Sequence, residues 1–340
     1  MRRTNRVWTG LMLLATTALA GPSGYHADRS ILVGGDGFWD YVTADTTTHR
    51  VFVTHGTHVQ VVDAATDSVV GDIPDTPGVH GVALAYDAGL GFTSNGRDSS
   101  VSVFDLKTLA VKGRIPVGSR NPDAILYDQA TGRVFTFNGG GRNTTAIDAR
   151  TQKVVGTLAL GGKPEAGVSD GAGRIYVNNE DSSTIVEFDS KKLKQLHVWS
   201  LAPGEGPSGL AFDRVHHRLF SGCDNQKLIV LDSQTGRRVA DVPIGEGVDG
   251  VAFDPAQQLV FSSNGEGTLT VIHEDDPDHF RVVENVPTQK SGRTLALNPR
   301  DGTVYIPAAE LGPPPAPTAD RPHPRPSIVP GSFRVVVVHH

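Results

Sequence analysis

A short pattern recurs along almost the whole chain, and it limits the fold more than any other feature. The segments Val59–Asp63, Val101–Asp105, Thr144–Asp148, Ile185–Asp189 and Leu228–Asp232 each run through four strand-forming residues into an Asp. Leu269–His273 and Val335–His339 repeat the pattern with His in the last place. Successive segments start 42, 43, 41, 43, 41 and finally 66 residues apart. A period near forty residues marks a repeat architecture, in which each unit buries its apolar faces only against its neighbours.

Each unit reads as four short strands. In the sixth, Gly250–Asp254 is a small apolar strand, and Pro255–Gln258 is a turn. Leu259–Ser263 is the second strand, Leu269–His273 the third and Phe280–Val286 the fourth. Val, Ile, Phe and Thr fill these runs, and Gly, Asn, Asp and Pro bound them. After the first twenty residues no segment shows apolar residues sustained at helical spacing. The expectation is an all-β fold: a seven-bladed β-propeller with four-stranded blades. The segment Asp28–Gly35 resembles the fourth strands Val155–Gly162 and Arg238–Gly245. It is therefore expected to close the last blade beside Val335–His339, which removes an exposed sheet edge.

The N-terminal residues read as an export signal. Arg2, Arg3 and Arg6 precede an apolar run from Leu11 to Leu19, and Ala18-Leu19-Ala20 is a small-x-small cleavage site. Residues 1–20 are thus expected to be a signal peptide and 21–340 a single propeller domain, periplasmic or extracellular. The run is too short to span a bilayer, and no later one is long enough. The single cysteine, Cys223, excludes an internal disulfide framework. A net charge of -6 offers no general attraction for nucleic acid or anionic lipid. Residues 311–332 hold eight prolines in the seventh unit, between its second and third strands. Such a stretch cannot donate ladder hydrogen bonds and should run extended, as a solvated excursion, a flap over one face or a strap for a partner.

The second strands Arg174–Asn179, Arg133–Asn138, Leu259–Asn264 and Gly91–Asn95 resemble the YVTN-repeat, YncE-like family of bacterial exported propellers. The resemblance covers essentially the whole chain after the signal peptide and implies the seven-bladed fold. It carries no activity and no site residues with it, because a propeller hosts many functions.

Propeller geometry places the start of each first strand and the end of each second strand on one face, near the axis. One residue per blade stands just ahead of the first strand: Asp40, His80, Asp123, Glu165, Ser208, Asp249 and Arg293. The second strands end in His55, Asn95, Asn138, Asn179, Cys223, Asn264 and Ala308. Four carboxylates, an arginine and two histidines in one funnel should raise carboxylate pKa values or recruit a cation. The ligand-binding candidates are Asp40, His80, Asp123, Glu165, Asp249 and Arg293, with Asn95, Asn138, Asn179 and Asn264. Asparagines also end strands as turn formers. His55, His80 and Asp40 would suit one divalent metal ion, the only cofactor the residues suggest. Cys223 reads as a small buried residue. The series Asp63 to Asp232 reads as turn-forming acids, and His216-His217 as a solvated pair on the opposite face.

No P-loop, HExxH, GxSxG, CxxCH or paired CxxC motif is present. The reading is therefore a monomeric binding or scaffolding propeller for a small molecule or an exported protein partner. The alternative is a metal-assisted hydrolase, of lactonase type, or a lyase with its cation at the channel mouth. A third reading is an accessory subunit of an exported redox enzyme, docked through the proline-rich insertion. Protein recovered from the exporting compartment is expected to begin near Gly21, and N-terminal sequencing checks this. A chain beginning at Met1 there would refute cleavage.

Overall fold

Strands that stack face to face in a ring are buried on both sides, so they need continuous apolar character in place of alternation. The computed structural model describes residues 23–35, 37–316, 324 and 326–340. In it the second and third strands are inaccessible along most of their length, as in Leu259–Asn264 and Ser100–Asp105. The fourth strands, such as Ser68–Ile73 and Lys153–Ala159, face water. The proposed signal peptide lies outside the described residues.

The strands form seven four-stranded antiparallel sheets, each ordered first to fourth from the axis outward. Blade one comprises Val42–Ala44, Arg50–His55, His58–Asp63 and Ser68–Ile73. Blade seven comprises Ala296–Asn298, Thr303–Ala308 and Arg334–His339, and its outermost strand is His26–Leu32 from the other end of the chain. Ile31 pairs with Val335 and His26 with His339. Each first strand packs beside those of both neighbouring blades, and blade seven meets blade one, so the ring is closed.

Seven hydrophobic clusters fill the gaps between adjacent blades. Phenylalanines form much of their volume: Phe52 and Phe104 lie between blades one and two, and Phe135 and Phe188 between blades three and four. The turns after the third strands rest on the expected acids. Asp63 Oδ1 accepts from the Ala65 and Thr66 amides, and Asp232 Oδ1 from those of Gln234 and Thr235. Among the described residues, helical structure is limited to two short 3-10 turns, and no helix is long and apolar enough to cross a membrane.

Two glycines at the hub mark close approaches of backbone. A Cβ on Gly209 would lie 2.7 Å from the Val251 backbone nitrogen, and one on Gly250 2.6 Å from that of Leu295. Neighbouring first strands approach so closely there that a side chain has no room. Ile31, fully buried in the closing strand, ties the chain ends together. Replacing it with Ala is expected to lower unfolding free energy by about 2 to 5 kcal/mol. Urea denaturation checks this, and an unchanged midpoint would refute the closing role.

Candidate functional site

The first strands carry a register irregularity near their start. It falls between Val79 and Val82, Pro122 and Ile125, Pro164 and Gly167, Pro207 and Leu210, and Val248 and Gly250. His80, Asp123, Glu165, Ser208 and Asp249 each occupy that bulge. They are thus the second residues of their strands, one step inside the boundary expected from sequence, whereas Asp40 and Arg293 precede theirs. A bulge leaves one residue out of the ladder and re-aims its side chain.

The structure brings six of the candidates together. His80 Nδ1 lies 2.6 Å from Asp40 Oδ2 and 3.5 Å from Asp123 Oδ1. Arg293 pairs with Asp249 and reaches to 3.9 Å from Asp40 Oδ1. Glu165 takes a hydrogen bond of 2.8 Å from Lys163 Nζ, which also pairs with Glu180. The carboxylates lie deep, with Glu165 side-chain exposure at 11%, while Arg293 and Lys163 form the rim at 46% and 39%. Beneath the ring is a cavity of about 180 Å³, lined by residues of all seven blades, including Tyr41, Ile125, Leu210 and Asp249. A groove of about 520 Å³ between blades one and two, lined by His58, Asp72 and Arg114 among others, lies away from this ring.

Burial and mutual repulsion set the electrostatics. Burial raises Glu165 to about 8, helped by Asp123 and opposed by Lys163. Burial raises Asp249 to about 7 against the pull of Arg293, with Asp40 and Asp123 adding to the rise. Asp123 rises to about 6 through burial, with His80 opposing and Asp40 assisting. Burial alone would depress His80, but its hydrogen bond to Asp40 and the charges of Asp123, Asp40 and Glu165 raise it to about 9. The Tyr41 hydroxyl is pushed well above its ordinary value by burial and then by the ring carboxylates.

The remaining candidates sit elsewhere. His55 is buried, packs at a tilt against Phe333 with ring centroids 4.5 Å apart and places Nδ1 2.7 Å from Gln60 Oε1. At the mouth, the ligand atoms that lie within 4.8 Å of one another are those of Asp40, His80 and Asp123, without His55. Asn95, Asn138 and Asn264 are buried, and their amides bond inside their own blades. Asn138 accepts from Thr136 and donates to Asn143 and Thr145, and Asn95 and Asn264 repeat this with Ser or Thr partners. Asn179 Nδ2 donates to the Leu160 carbonyl at 2.8 Å. Ser208 Oγ donates to the Val248 carbonyl. Cys223 is buried, and burial lifts its thiol to about 12.

Sequence reasoning missed Lys163 and Tyr41. Each adjoins a position that was singled out: Tyr41 follows Asp40, and Lys163 stands two residues before Glu165. The proline-rich insertion leaves from the end of the second strand of blade seven, on the face of the ring. Its feet are clamped by a bridge between Leu311 and Ile328, and Phe333 stacks on Trp39 at 5.0 Å. Residues 317–323 and 325 lie outside the described residues, so the extended course expected for them is not among the features described.

Groups whose pKa rises on folding contribute stability that is complete below the ordinary value and lost as pH rises through the folded one. Asp123, Asp249, Glu165 and His80 all act in this sense, between about pH 4 and pH 9. Asp105 acts oppositely: amide and lysine hydrogen bonds hold it at about 2, so its contribution is lost as pH falls through that value. Tm is therefore expected to peak near about pH 5 and to decline toward pH 9. In Asp123→Asn the decline should be shallower. A Tm flat from pH 5 to 9 in the parent protein would contradict the desolvated ring.

No family model matches the chain. Two bacterial proteins named "Uncharacterized protein YncE", from Salmonella typhi and Salmonella typhimurium, are 24% and 25% identical over 225 residues. Those residues make up 62% of this chain and 63% of each relative, so the chain spans a little under two thirds of their length. Among solved structures, a chain of the "Crystal Structure of Mitotic Checkpoint Complex" superposes with a TM-score of 0.72 at 12% identity, covering 100% of this chain and 98% of that one. A chain of Kuenenia stuttgartiensis hydrazine synthase superposes with a TM-score of 0.70 at 15% identity, covering 87% and 96%. At these identities the structural likeness is one of fold. The seven blades and their closing strand show a β-propeller, and the similarity to the Salmonella proteins supports its likeness to the YncE-like propellers.

Proposed function

We propose that this protein is an exported binding propeller that seats a small ligand, or one side chain of a protein partner, in the charged mouth of its axial channel. One observation carries the reading. Four desolvated carboxylates are held against one another at an opening where the fold has no need of them, and folding pushes three of their pKa values upward. Keeping such groups together costs stability unless a ligand uses them. A cationic amine fits between Asp123, Glu165 and Asp249, and Arg293 and Lys163 at the rim suit an anionic group on the same molecule. The asparagines serve as blade tethers in this reading. The described ends of the proline-rich insertion, bridged at Leu311 and Ile328, lie beside blade seven on the same face and would border a docked partner. Export rests on the basic, apolar and small-residue order of residues 1–20.

A second reading has one specific observation in its favour: the ligand atoms of Asp40, His80 and Asp123 lie within 4.8 Å of one another. A divalent ion held there would polarise a carbonyl or lower the pKa of a bound water, as in a metal-assisted hydrolase or lyase. Glu165, raised to about 8, would exchange protons near neutral pH.

Thermal shift with a panel of amines, amino acids and divalent chlorides separates the two readings. An amine or amino acid is expected to raise Tm, and Asp249→Asn is expected to weaken its binding about tenfold, the loss of one charge-assisted hydrogen bond. A shift by divalent ions alone, abolished by a chelator, would instead favour the metal-assisted reading. No shift by any compound would refute a small-molecule site.

A further inference from the structure

On the face opposite the mouth, the junction of blades five and six carries a pair of buried carboxylates where other junctions carry one. In blades one, three and six the first strand ends at or just before an Asp whose carboxylate is buried and satisfied by neutral donors. Asp128 accepts from Ser169, Thr131 and Ser190, at 2.7, 2.6 and 2.8 Å. Asp45 accepts from Thr47, Thr48 and Tyr86, and Asp254 from the Gln257 amide. Ser190, one residue past the third strand of blade four, thus reaches across to the Asp of blade three. The equivalent pair in blades five and six is Asp213 and Glu274, with a second carboxylate in the donor's place. Both side chains are buried, at 1% and 0% exposure.

His216 completes the cluster. It lies in the turn after the first strand of blade five and was expected to be solvated. Its ring is instead half-buried, with Nδ1 2.7 Å from Asp213 Oδ2 and 3.3 Å from Glu274 Oε1. Glu274 Oε2 is buried without a hydrogen-bond donor, an independent sign that something else belongs there. Burial, with Asp213 adding, pushes Glu274 up to about 7 against the opposing His216. The nearby Arg218 is committed to Asp232, Asp278 and the carbonyls of Pro277 and His216.

We propose that Asp213, His216 and Glu274 form a structural site for a divalent transition-metal ion that ties blade five to blade six. The three ligand atoms lie within 4.8 Å of one another, and a tetrahedral zinc centre needs its ligand atoms about 3.3 Å apart. A protonated His216 balances one of the two buried carboxylates. A divalent ion with a neutral imidazole balances both and occupies Glu274 Oε2 as well. One nitrogen and two carboxylate ligands suit zinc and its neighbours better than calcium or magnesium, which take oxygen shells. The side of the cluster that the half-exposed imidazole leaves to solvent would supply a water as fourth ligand. This site is independent of the mouth and of any function assigned there.

Metal-free protein titrated with zinc chloride tests the proposal, read by calorimetry and by Tm. Wild type is expected to bind one equivalent that raises Tm by several degrees. Glu274→Gln and His216→Ala should each lose that equivalent, whereas Asp123→Asn at the mouth should keep it. Metal-free Glu274→Gln should melt above metal-free wild type, because a buried charge is gone. Cobalt(II) in the wild-type site should show visible absorption that His216→Ala abolishes, a readout that holds even if Glu274→Gln folds poorly. Zinc binding that survives in both blade-five and blade-six variants, or no zinc-dependent change in wild type, would overturn the proposal. In the latter case the two carboxylates share a proton.

Discussion

The structure depends on a hydrogen bond repeated at the hub. Where a first strand begins near the axis, a backbone carbonyl leaves its own ladder, and a buried carbonyl must find another donor. At three junctions the penultimate residue of the second strand in the preceding blade supplies it. Ser94 donates to the Asp123 carbonyl, Asn178 to that of Ser208 and Ser263 to that of Arg293. Blade seven reaches blade one similarly, through Thr294 and the Asp40 carbonyl at 2.7 Å. These bonds tie neighbouring blades together where the axis-facing residues stand.

The charged ring follows from that geometry. Because glycines such as Gly209 and Gly250 leave the hub without side chains, the residue just before each is the last that can point inward. Whatever the sequence places there is held beside its six counterparts. With Asp, Glu, His and Arg in those places, burial and repulsion act on groups that are remote in sequence. The asparagine tethers a few residues away stiffen the second strands that carry the donors.

The repeat made the blades legible. Its period, its four strand-like runs and the spare segment at the N-terminal end gave number, order and closure without reference to any contact. The ring positions were legible too, because a gapless alignment of blades is equivalent to a rotation about the axis. Individual side-chain partners were not. His55 occupies the same register as Asn95 and Asn138, yet Phe333, arriving from beyond the insertion, draws it into the core between blades seven and one. Lys163 lies outside the aligned position, two residues before Glu165, and its long side chain folds back to pair with that carboxylate. The bulges themselves leave no mark on composition. His216 meets Asp213 within its own turn, but its second partner, Glu274, comes from the next blade, 58 residues on in sequence, and nothing in the turn announces it.

The shared last blade has a kinetic side. His26 pairs with His339, so the ring closes through a contact spanning nearly the whole chain, and all six complete blades are local by comparison. Long-range closure of this kind comes late in folding, because its entropic cost must be met before its contacts form. Until then Arg334–His339, with Val335 to Val338 in an unbroken row, presents a bare sheet edge of the kind that recruits foreign strands. The segment His26–Leu32 therefore acts as an internal chaperone for the last strand of its own chain. A partner that captured either end before they met would hold the propeller open as an incomplete ring.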